Sequence, residues 1–95
     1  MKFLAREQDT PGVTPEACTP FLKEEARTVL RLYEKGIIRE IYFTSPSNEA
    51  VIILESRSID SARESLSELP LVREGLITFQ IEELVPYTGF SRLVE

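Results

Sequence analysis

Histidine is absent from the 95 residues, and cysteine occurs once. The missing histidine removes the commonest metal ligand, the usual haem axial ligand and the usual general base together. No metal site and no cofactor is therefore expected. The lone Cys18 can form no internal disulfide. It follows Pro15-Glu16-Ala17 with no neighbour that would stabilise a thiolate, so it reads as structural rather than nucleophilic. Cations are not clustered either. The eleven Lys and Arg are spread singly along a chain of formal charge −5. A surface that grips phosphate needs such a cluster, which argues against nucleic acid and anionic membrane as partners. Long apolar runs are missing too: at the start only Phe3-Leu4-Ala5 precede a charge, far short of a secretion signal or a membrane span. A cytoplasmic protein is the expectation. Gly36 and Gly75 stand alone, without the spacing that cradles phosphate.

What is present is a folded domain. Apolar residues make up 42 % and charged residues 28 %, too apolar for disorder, and 95 residues allow one domain, 1–95. Lys2 to Arg6 reads as a short strand, followed by a polar turn with Asp9-Thr10-Pro11-Gly12. Thr14-Pro15 and Thr19-Pro20 are both helix-start signals. The pair leaves open whether a short turn precedes the main helix or Pro20 bends it. That helix runs to about Lys35, where Gly36 is a stop. Ile37 to Thr44 and Ala50 to Glu55 read as strands joined through Ser45-Pro46-Ser47-Asn48, a hairpin. A second helix begins near Ser58 with Ile59, Ala62, Leu66 and Leu69 on one face and is ended by Pro70. Leu76 to Leu84 alternates as a last strand, and residues 85–95 form a tail with Tyr87 and Phe90.

The order β-α-β-β-α-β is the ferredoxin-like motif, an α+β fold with two helices on one face of a four-stranded antiparallel sheet. One observation reaches beyond a single chain. Val51 and Ile53 point opposite to Ile52 and Leu54, so this strand is apolar on both sides and calls for burial on both. A second copy of the chain would cover the open face, and the tail would pack on that partner. A homodimer is expected, with higher assembly open.

On a helical wheel of about 100° per residue, Phe21, Leu32, Val29, Leu22, Tyr33, Ala26 and Leu30 form one arc. Glu25 falls inside it, between Leu32 and Val29, as its only charge. A carboxylate caught between helix and sheet is desolvated, which raises its pKa toward the range of a working acid or base. The alternative is a structural ion pair, with Arg6 or Arg39 as partner. Arg39 is itself expected on an apolar strand face with Ile37, Ile41 and Phe43. Tyr33, Tyr42 and Tyr87 could donate hydrogen bonds into a pocket, although an aromatic at such spacing is more often core. Glu82-Glu83 reads as a solvated strand end.

The combination of Phe3…Arg6, Glu25 in the first main helix, Gly36-Ile37-Ile38-Arg39 and Leu69-Pro70-Leu71 resembles the muconolactone isomerase-like group of the dimeric α+β barrel superfamily. The resemblance spans about residues 3 to 84. It implies a ferredoxin-like fold whose sheets face each other across a dimer, and a cofactor-free isomerase that moves a proton next to a carbonyl of a small anionic lactone or enol. Glu25 matches the base. Arg6 and Arg39 match basic positions suited to a substrate carboxylate, and Tyr42 joins them as a substrate-binding residue. The family's histidines are absent here, which argues against the haem-binding branch of the superfamily. The rival reading is a non-catalytic small-molecule-binding or interaction domain of the same fold.

Overall fold

The computed structural model describes residues 1–95. Four strands, β1 (Lys2–Asp9), β2 (Ile38–Phe43), β3 (Ala50–Glu55) and β4 (Ile77–Leu84), form one antiparallel sheet in the order β2-β3-β1-β4. Between β1 and β2 lie α1 (Pro15–Cys18), a 3₁₀ turn (Thr19–Phe21) and α2 (Leu22–Glu34); between β3 and β4 lie α3 (Ile59–Leu66) and α4 (Pro70–Arg73). This is the ferredoxin-like βαββαβ arrangement expected from the sequence. A second 3₁₀ segment, Gly89–Val94, closes the chain.

Local chemistry accounts for the borders. Thr14 caps α1 by accepting from the Ala17 N–H (3.3 Å), and Ser58 caps α3 by accepting from the Ser61 N–H (3.0 Å). Pro20 falls in the 3₁₀ turn, so the two start signals give a short helix, a tight turn and then the main helix. Gly36 (φ +78°) ends α2 in a paired closure, Ile37 N–H to Leu32 C=O and Gly36 N–H to Tyr33 C=O. Pro70 does not end the second helix, contrary to expectation. α3 stops four residues earlier at Leu66, and Pro70 opens α4 as its first residue, with Leu69 held extended before it. β1 runs three residues beyond the expected Arg6, because β4 pairs with it as far as Asp9 opposite Ile77.

The core sits between helices and sheet at one end of the molecule. Phe3, Ala5, Leu32, Ile38, Ile52, Leu54, Ala62, Leu66 and Leu69 form one buried cluster. On α2 the buried stripe is Thr28 and Leu32, flanked by Phe21, Glu25 and Val29, while Leu22, Leu30 and Tyr33 are exposed. The apolar arc of this helix is wider than the sheet beneath it. Thr28, placed among the polar residues by the wheel, is buried because its hydroxyl donates to the Glu24 carbonyl at 3.0 Å.

Candidate functional site

The helices do not cover the sheet evenly. Beyond the core, where β1 ends in Glu7 and Asp9 and β3 begins at Ala50, the layers part into a cleft of about 790 Å³. Its floor is the helix-facing side of the sheet: Glu7, Ala50, Ile52, Ile77 and Phe79. Val13, Thr14, Pro15, Cys18 and the start of α2 make one wall, and Leu69 and Leu71 contribute another. Fifteen of the 22 lining residues are hydrophobic, so water inside the cleft has few partners.

Glu25 stands in this wall. Its Oε1 accepts a hydrogen bond from the Leu71 N–H at 3.0 Å. Pro70 supplies no donor at the first position of α4, so the Leu71 amide is the first orphan N–H of that turn, and Glu25 satisfies it from 46 residues away. Burial raises the Glu25 carboxyl above the usual carboxylate range; the Leu71 N–H and then Arg73 pull it back only in part. No ion pair to Arg6 or Arg39 forms, so the expected structural partner is replaced by a backbone amide. Arg73, the cation nearest in effect, is engaged by Glu74 (3.1 Å) and Glu24 (3.4 Å).

Glu7 is a second carboxylate of the same kind, and the reading of the sequence missed it. Its Oε1 accepts from the Ala50 N–H at 2.9 Å. Burial pushes this carboxyl up, the Ala50 N–H lowers it, and Asp9 adds to the rise. The signal was the alternation Phe3, Ala5, Glu7, Asp9, which puts both acids on the core side of β1; ending the strand at Arg6 hid it. Cys18 also lines the cleft, and its thiol is pushed up by burial and by Asp9, Glu7 and Glu25 together. Such a thiol is held away from the reactive thiolate.

The other expected site residues lie apart. Arg6 alternates with Ala5 and Glu7, so it sits on the open face of the sheet, exposed. Arg39 falls in a β-bulge: Ile38 opposes Leu54 and Glu40 opposes Ile53, leaving Arg39 as the extra residue. It is exposed, and its Nε donates to the Gly36 carbonyl at 2.7 Å. The expected apolar face of Ile37, Arg39, Ile41 and Phe43 is thereby corrected: the bulge shifts the register, and Ile38, Ile41 and Phe43 face the helices instead. Tyr42 borders the cleft, but its hydroxyl donates to Glu40 Oε1 at 2.7 Å on the far side of β2. No lysine or arginine lines the cleft. No group of three or more Cys, Asp or Glu side chains is arranged to hold a metal ion, and no helix is long and apolar enough to cross a membrane.

Comparisons with known proteins fall into two parts. No protein-family model matches the chain, and no curated protein matches it. Solved structures do. The fold is that of muconolactone isomerase, matched with a TM-score of 0.76 and 18 % identity over 94 % of this chain and 93 % of that one. It is also that of 5-chloro-2-hydroxyhydroquinone dehydrochlorinase (TftG) from Burkholderia phenoliruptrix AC1100, solved with 2,5-dihydroxybenzoquinone: TM-score 0.67, 19 % identity, 94 % of this chain and 98 % of that one. At these identities the likeness establishes the architecture, and the chemistry has to be argued from the site.

Proposed function

We propose that the chain is a cofactor-free isomerase of small cyclic carbonyl compounds, with Glu25 as the base. The observation that carries this reading is a half-buried carboxyl in the wall of an apolar cleft, one oxygen pinned by a backbone amide and the ionised form disfavoured by burial. Glu25 removes a proton from the carbon next to a carbonyl, leaving a dienolate, and returns it to the far carbon of the unsaturated system. The proton lost equals the proton gained, so no oxidant or co-reactant is needed. A fold shared with muconolactone isomerase and with a dehydrochlorinase that holds a hydroxyquinone is consistent with such a substrate. Arg6 and Arg39, expected to hold an anionic end, do not line the cleft in this chain.

The test is isomerisation of α-angelica lactone to its conjugated isomer, followed by NMR. The chain is expected to accelerate it, and Glu25→Gln is expected to remove at least about a hundredfold of that acceleration, in the range of a general base. Equal rates with the two proteins would reject Glu25 as base. The rival reading, a binding domain without chemistry, is favoured by the cap that Glu25 provides to α4, and it predicts binding without turnover.

We also propose that the chain assembles with itself. Val85, Tyr87, Phe90, Leu93 and Val94 are 70–88 % exposed, and Leu4, Val51 and Ile53 keep part of their surface exposed on the open sheet face. The radius of gyration, 15.3 Å, exceeds the value of about 12 Å expected for a compact chain of this length. A second copy would cover both surfaces.

A further inference from the structure

We infer that the cleft selects against anions, so that its ligand is an apolar carbonyl compound carrying no charge. The carbonyl rests on the proton-transfer reading above; the selection by charge rests on the wall alone. Glu7, Asp9 and Glu25 are the charged residues of that wall, and it contains no lysine or arginine. Arg6 lies on the opposite face of the sheet, Arg39 is folded onto Gly36 and Arg73 is held by Glu24 and Glu74, while Lys23 and Arg27 of α2 are exposed and outside the lining. Glu7 and Glu25 are half-buried and Asp9 is exposed in the lining of one cleft, and the Cys18 thiol in that lining feels all three. A ligand carboxylate placed there would meet a lining that holds carboxylates and no cation, so like-charge repulsion disfavours it.

A cationic ligand is served no better. Oε1 of Glu7 and Oε1 of Glu25 are each already taken by a backbone N–H. A dehydrated ammonium surrounded by Leu22, Leu69, Ile77 and Phe79 would lose more water contacts than it regains. An uncharged ring meets neither penalty. It finds apolar side chains for its carbon face.

Three probes of nearly equal shape separate the possibilities: phenylacetone, phenylacetate and 2-phenylethylamine, titrated into the intact chain at pH 7.5 and low salt with NMR detection. Phenylacetone is expected to bind at least about tenfold more tightly than phenylacetate, the size of one like-charge contact in a partly buried site. That ratio is expected to shrink in Glu7→Gln and in Asp9→Asn, the second an exposed side chain whose loss leaves the fold intact. Equal or tighter binding of phenylacetate, tightest binding of the amine, failure of all three to bind at millimolar concentration, or a ratio unchanged in both variants would each overturn the inference. The benzylic hydrogens of phenylacetone also report the base separately. If the ketone binds preferentially but does not exchange them in D₂O, charge selection stands and the role of Glu25 as base falls.

Discussion

The two ends of the helix–sheet interface are built from the same layers and behave oppositely. At one end Phe3, Leu32, Ile38, Leu54 and Leu66 close on each other with no more than 2 % exposure. At the other, β1 continues as Glu7 and Asp9, β3 begins with the small Ala50, and α2 presents Glu25. The closed end offers side chains that fill the space and carry no polar atom. The open end has carboxylates that must find donors, and they find main-chain amides at the rim rather than each other's company in a core. The difference teaches where this domain keeps its close packing and where it keeps its desolvated carboxyls. Apolar packing is concentrated at the closed end, and the desolvated acids lie at the other.

One substitution applied at both ends of α2 tests this directly. Leu32→Ala in the closed core is expected to cost about 3 kcal/mol in chemical denaturation, with a fall in Tm of roughly 12–24 °C for a domain of this size. Leu22→Ala, at the cleft and half exposed, is expected to cost under about 1 kcal/mol. Equal costs would erase the distinction between the ends. Glu25→Ala comes next in size, at about 1–2 kcal/mol, because it strips the Leu71 N–H of its acceptor. Glu25→Gln keeps an acceptor in place without the buried charge, and its stability at pH 7 is expected to match or exceed that of the parent. A Gln variant as unstable as the Ala variant would show that the charge itself holds α4.

The pH dependence is a smaller effect with a definite sign. Glu7 and Glu25 have folded values raised above 4.5. The folded state then holds their protons longer than the unfolded chain does. Their contribution is fully present below pH 4.5 and is lost as pH rises through the raised values. Stability of the parent minus that of a Glu7→Gln/Glu25→Gln double variant is expected to fall across that window and stay level above it; a rise with pH would contradict the burial argument. The smallest change in per-chain stability, within about 0.5 kcal/mol, is expected from removing the exposed residues after Leu84. Light scattering should nevertheless show the truncated chain at lower assembled mass, and a parent that already runs at 10.8 kDa would dispose of self-association.

Much of this was legible in the sequence because period and punctuation agreed. Gly36, Ser58 and Thr14 marked borders where the structure has them, the order of elements gave the fold, and the wheel isolated Glu25 at the edge of what became the buried stripe. The failures share a cause. Strict alternation puts Arg39 on an apolar face, and a bulge, which depends on pairing with β3, moves it. Glu7 was missed because the length of β1 is set by β4, 70 residues away. Pro70, a stop signal for the helix before it, opens α4 instead. Local signals specify elements; partners across the sheet decide how far each runs and which way its side chains turn.

The bond between Glu25 and Leu71 has one further use. Leu71 belongs to the cleft wall and its amide proton lies on the carboxyl oxygen of the proposed base, so that single N–H resonance is a gauge built into the protein. Its chemical shift should follow the ionisation of Glu25 with pH and move again when a molecule enters the cleft, giving the acidity of the base and the occupancy of the site from one backbone signal.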